Sequence, residues 1–182
     1  ANTDKLILTN LITSQVMLKS DAVTPGEWVS VSVVLSADNQ QLYLNGVLQS
    51  QTELLVSQSV QATNLSIGND LINVSNNTLH GLADEIQVWA MPLTNAQIKQ
   101  YYDKKLNGDE TGLVGYWRLN QLKVGQTGLK SANQVTGLPG NIVINGLPDN
   151  SLQPGLALEA IQANKALYFD GIDDYVLTGP TQ

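Results

Sequence analysis

Residues 26–50 read GEWVSVSVVLSADNQQLYLNGVLQS, and their spacing decides the fold class. In Trp28 to Leu35 the alternation places Val29, Val31, Val33 and Leu35 on one face and Ser30 and Ser32 on the other, the period of a half-buried strand. Asn45-Gly46 sits between two further apolar-alternating runs. Both residues tolerate positive φ, so the pair predicts a tight type I′ hairpin. Thr24-Pro25-Gly26 supplies a turn just ahead of Trp28. Strand, turn, strand, hairpin and strand in 25 consecutive residues make this part of the chain β.

The same texture extends outward. Short alternating runs stand at Leu6 to Leu11 and Val16 to Leu18, then at Leu65 to Asp70 (LSIGND) and Ala83 to Met91 (ADEIQVWAM), with the polar run Asn73 to Thr78 as a loop. One helix interrupts them. In TNAQIKQYYDKKLNG, Thr94 and Gln97 stand at capping-box spacing, and Ile98, Tyr101, Tyr102 and Leu106 follow at helical intervals. Asn107-Gly108 is its stop signal, and Lys104 and Lys105 would favour its dipole. Beyond it the chain returns to β with GLVGYWRLNQ. A Gly-, Asn- and Pro-rich region from Val124 to Gln153 follows, holding the apolar run NIVING, and then the closing strand ALYFDGIDDYV at 166–176. Ala157 to Asn164 fits a helical turn or a loop equally. Composition shifts near 107–112, dividing the chain into segments 1–106 and 107–182.

Whole-chain totals narrow the function. With 182 residues, 42% of them apolar, the chain can bury a good core. A net charge of -7 with nine Lys and Arg argues against a nucleic-acid surface or an anionic membrane patch, both of which need clustered positive charge. There is no cysteine, hence no disulfide and no thiolate metal site. No apolar run approaches the roughly 20 residues that span a bilayer, so membrane insertion is not expected; no basic signal segment precedes Ala1, so the signal of an exported protein would have been removed or lie outside this sequence.

GEWVSVSVVLSADNQQLYLNGVLQS, followed by LSIGND and HGLADEIQVWAMPLTNAQI, resembles the second half of a laminin-G-like jelly-roll domain of the concanavalin A-like lectin/glucanase superfamily. The resemblance implies an all-β sandwich of antiparallel sheets with one short helix. It makes Gly81 to Val88 the final G-x-x-D-E-[IV]-x-[IV] strand and Thr94 to Leu106 the terminal helix. TGLVGYWRLNQ and ALYFDGIDDYV resemble the start of such a domain, so the two halves stand in inverted order, and a few strands that the resemblance implies between Val176 and Ala1 in circular order, notably one like F-T-[IV]-E-x-W, are not found. Three arrangements produce this order: a window from a tandem array, a circular permutant, or a subunit whose terminal strand completes a neighbour's sheet. An unfinished sandwich exposes an apolar face and unpaired edges, which favours completion by a neighbouring copy or an adjacent domain.

Glycan-cleaving members of this superfamily carry E-x-D-x-E on one strand, and no such triplet occurs here. Asp84 and Glu85, adjacent in an expected strand, would point to opposite faces, a poor acid/base pair. His80 is the only histidine and has no cysteine to partner it, so triad and zinc readings lack parts. The glycines of GLVGYW lack the helix and Lys-Ser/Thr pair of a phosphate loop. Asp170, Asp173 and Asp174 around Gly171 could hold calcium with hard oxygen ligands, and Asp84 is the other position the resemblance implies. Against this, Asp170-Gly171 also reads as a plain turn whose aspartates accept backbone amides. Trp28, Trp89 and Trp117 could stack on sugars, but in apolar strands of a chain with one Phe they read as core. Asn64-Leu65-Ser66, Asn73-Val74-Ser75 and Asn76-Asn77-Thr78 match the N-glycosylation pattern, a frequent chance match. The expectation is a non-catalytic extracellular or cell-surface module, a structural repeat unit or filament subunit completed by neighbouring copies. The alternative is a calcium-assisted carbohydrate-binding module.

Overall fold

The computed structural model describes residues 5–10, 15–37, 39–53, 65–67, 80–119, 123–125, 128–138, 141–145, 152–154, 165–170 and 175–178. The sequence expectations for 73–78 and 157–164 lie outside these residues, as does the turn after LSI. Antiparallel strands with one short helix make up the described chain. They form two compact units, residues 1–60 with 91–104 and residues 61–90 with 105–182.

In the first unit β1 (Lys5–Asn10) and β2 (Gln15–Ala22) form a ribbon, and β3 (Val31–Leu35), β4 (Asn39–Leu44) and β5 (Val47–Glu53) form a sheet in that order. The Asn45-Gly46 turn joins β4 to β5 with φ of 48° and 74°, the positive pair the hairpin requires. Asn45 Oδ1 also accepts the Ser30 amide at 2.8 Å, tying the turn to the entry of β3. Register pairs Val31 with Leu44, Val33 with Leu42, Ser32 with Tyr43 and Val34 with Gln41, which assigns each residue to a face. On one face Val34 and Tyr43 are buried with Ile98 of helix α1 (Asn95–Tyr101), and Leu93 packs against them. On the other face, the amides of Lys19 and Asp21 in β2 donate to the Ser50 and Gln49 side chains of β5, and Leu18, Leu42 and Leu44 are buried.

Two expectations change here. Val31, Val33 and Leu35 are half exposed, and the buried side chain of the strand is Val34. The helix supplies the apolar surface, and it packs on the opposite face from the one alternation favours. The helix itself is shorter than its pattern. The Thr94–Gln97 capping box is complete, but α1 ends at Tyr101, so Lys99 and not Lys104 or Lys105 lies in its last turn. Downstream, the Leu106 amide goes to the Tyr116 hydroxyl at 3.3 Å and its side chain is buried, so this residue is committed elsewhere than to a helix.

In the second unit β6 (Leu65–Ile67), β7 (His80–Ala83), β8 (Ile86–Trp89), β9 (Leu113–Trp117), β10 (Lys123–Gly125), β11 (Gly128–Ala132), β12 (Asn141–Asn145), β13 (Leu152–Pro154), β14 (Lys165–Asp170) and β15 (Tyr175–Thr178) form three sheets. Their orders are β10-β11-β12-β15-β6, β13-β14-β7 and β8-β9. The run HGLADEIQVW is thus two strands, divided at Asp84-Glu85, where Glu85 takes a φ of 53°. That bend passes the run from one partner to another: β7 pairs with β14, Phe169 opposite Gly81, and β8 pairs with β9, Ile86 opposite Trp117. Separately, β15 pairs with β6, Val176 opposite Ile67. Every strand that resembles a domain start is therefore hydrogen-bonded to one that resembles a domain end, within a single chain.

Candidate functional site

The bend between β7 and β8 carries the most chemistry among the described residues. Asp84 Oδ1 accepts the Glu85 amide at 2.9 Å, which stabilises the left-handed turn. Glu85 follows, its side chain only 9% exposed. Tyr116 donates its hydroxyl to Glu85 Oε2 and accepts the amide of Leu106. Arg118 Nε lies 3.3 Å from Glu85 Oε1. Register explains the meeting: with Ile86 opposite Trp117, Glu85 falls opposite Arg118. Burial, reinforced by the Glu85 carboxylate, pushes the Tyr116 hydroxyl far above the usual phenol range, so it stays protonated and donates. A carboxylate engaged by a phenol and a guanidinium, beside a hydroxyl that cannot ionise near neutrality, is built to hold β8, β9 and the chain at Leu106 together.

The sequence offers one signal for this cluster: Tyr116 and Arg118 occupy alternate positions of an apolar strand, hence one face. The expected pairing of Asp84 and Glu85 as opposite-facing residues of one strand is replaced by the bend.

The carboxylates considered for calcium do not all come together. Asp170 lies opposite His80, whereas Asp84 follows Ala83, which lies opposite Leu167, so the two aspartates mark opposite ends of the β7–β14 pairing. Strand rise separates those ends by roughly 13 Å, too far for one ion. Asp173 and Asp174 lie outside the described residues. Among those described, no group of three His, Asp or Glu residues forms a metal cluster.

The three tryptophans differ. Trp117 is buried, and a Cβ on Gly115 would stand 2.4 Å from its ring, so a glycine is needed beneath it. Its Nε1 is buried and has no hydrogen-bond partner among the described residues. Trp89 is half-buried, and its Nε1 reaches Gln87 at 3.4 Å. Trp28, expected in the core, is 38% exposed. It lies on the link between β2 and β3, ahead of the sheet rather than within it.

The laminin-G model of the concanavalin A-like lectin/glucanases superfamily matches residues 7–99. The chain belongs to this superfamily. The matched span runs from β1 into α1 and takes in the Asn-Gly hairpin, the Asp-Glu bend and the capping box. Residues 107–182, which carry the two segments that resemble a domain start, lie beyond it. No curated protein and no solved structure matches the chain. Among the described residues of this superfamily member, no helix is long and apolar enough to cross a membrane.

Proposed function

We propose that this concanavalin A-like chain is a non-catalytic structural and adhesive module of an extracellular or cell-surface protein, a repeat unit whose sheets are completed by residues 165–178. One observation carries the reading: β14 and β15 pair antiparallel with β7 and β6, so strands from the far end of the sequence close two sheets. Within one chain this closure is intramolecular. Exchange of the same strands between neighbours would keep every pairing, so completion by a neighbouring copy or an adjacent domain is the polymeric form of one design. A non-catalytic role is supported by the engagement of Glu85 with Tyr116 and Arg118.

Light scattering on the chain with and without residues 165–182 tests this. At low concentration the intact chain should run as a monomer. The shortened chain, with the edges of β6 and β7 bare, should associate, and a peptide covering 165–178 should reverse the association. A shortened chain that remains monomeric with an unchanged circular dichroism spectrum contradicts the proposal.

A second reading, carbohydrate binding, is favoured by the exposure of Trp28, whose ring is available for stacking on a sugar face. Calcium would assist through Asp170 with Asp173 and Asp174, and Asp84 would act separately from them. A glycan array with the parent chain and Trp28→Ala, with and without calcium, decides it: binding lost in the variant supports the reading, and a blank array removes it.

A further inference from the structure

We propose that β3 pairs with β3 of a second copy, antiparallel about a two-fold axis centred on Val33. Among the described residues β3 is an edge strand, flanked by β4 alone. Val31, Val33 and Leu35 are 49%, 45% and 50% exposed. They share a face with Leu44 and Leu42, which are buried, so the apolar surface continues past the covered strands onto the open edge.

Edge strands in stable monomers are blunted with lysine, proline, bulges or inward charges. This one has none of them. Residues 28–36 contain no charged side chain and no proline, in a chain of net charge -7. That neutrality favours a second copy as the occupant, because two acidic molecules repel least, once salt screens their net charge, where neither presents a carboxylate at the contact. The pattern is also self-complementary. In an antiparallel pair centred on Val33, Val31 meets Leu35 of the second copy, Val33 meets its own counterpart, and Ser32 meets Val34. Apolar side chains therefore line one face from Leu42 and Leu44 through both copies of β3. A two-fold pairing of this kind closes on itself as a dimer. Three apolar side chains per copy fall well short of the roughly 800 Å² per partner of a stable interface, so the dimer is weak and concentration-dependent. The contact uses β3 alone and is independent of strand completion by residues 165–178.

Sedimentation velocity over a concentration series reads the pairing, and the absence of native cysteine makes single-cysteine cross-linking unambiguous. The parent chain should pass from monomer to dimer. Val33→Lys should remain monomeric at every concentration with an unchanged far-ultraviolet spectrum. Val33→Cys should oxidise to a disulfide-linked dimer, and Val31→Cys, which faces Leu35, should not. A parent chain that is monomeric throughout, a Val33→Lys chain that dimerises like the parent, or a Val31→Cys chain that cross-links as readily as Val33→Cys overturns the proposal. Dimers abolished by removing residues 165–182 but not by Val33→Lys also overturn it, and leave strand exchange standing.

Discussion

Tyr116 shows how one hydroxyl can connect three parts of a fold. It is 1% exposed, donates a hydrogen bond to Glu85 and accepts one from the Leu106 amide. Replacement by Phe keeps the ring but leaves a buried carboxylate short of a donor and an amide short of an acceptor. The expected cost is about 1–3 kcal/mol, read as a lower urea midpoint with an unchanged slope. Glu110 is a second residue of this kind, at the entry to β9. Burial alone would raise its pKa, but the amides of Asn107, Gly108, Asp109 and Glu110 itself outweigh that and hold it below the ordinary carboxylate value of 4.5. Its Oε1 and Oε2 accept Asn107 and Gly108 at 2.7 and 2.9 Å. A depressed folded pKa means that the stabilisation is fully present above the unfolded value and is lost as pH falls through the folded one. Urea midpoints measured across the acid range should fall less steeply for Glu110→Gln than for the parent chain. Apart from the alternate spacing of Tyr116 and Arg118, neither cluster is legible in the sequence. Each depends on which carboxylate meets which amide or phenol across a turn or a strand pair, and the left-handed bend at Glu85 has no compositional mark, since glutamate seldom adopts it.

Among the elements, those whose signals are local are the ones the sequence shows plainly. The Asn45-Gly46 hairpin needs two residues that accept positive φ, and the cap of α1 needs Thr94 and Gln97 three apart; both are found as expected. The capping box implies that Thr94→Ala costs about 1 kcal/mol, measurable by chemical denaturation. At the hairpin, Gly46→Ala would place a Cβ 2.8 Å from the Tyr102 ring at a φ of 74°, so Tyr102 must move as well as the turn straining. A loss of about 1–2 kcal/mol is expected, larger than for alanine at an exposed turn position. The misread elements depend on distant surfaces. Alternation in VSVVL cannot say which face a helix sixty residues downstream will cover, and the helical spacing of Leu106 gives no sign that its amide goes to Tyr116 instead.

At the scale of the molecule, the order of the segments was legible and their partners were not. GLVGYW and ALYFDGIDDYV read as strands that belong to the front of a sandwich, but three arrangements shared that reading. Choosing among them requires knowing which edges are hydrogen-bonded across some ninety residues of chain, and pairings so far apart leave no local trace. In the structure β7 receives β14, β6 receives β15, and β8 receives β9, all within one chain. Residues 165–170 are the partner of residues 80–83. Leu82 and Tyr168 lie opposite one another in that pairing, and the chain has no cysteine of its own. Mass spectrometry of the oxidised Leu82→Cys, Tyr168→Cys double variant, prepared dilute and isolated as a monomer, tests the claim most directly. A disulfide within one chain is expected; two free thiols, or a bond joining two chains, would overturn the pairing.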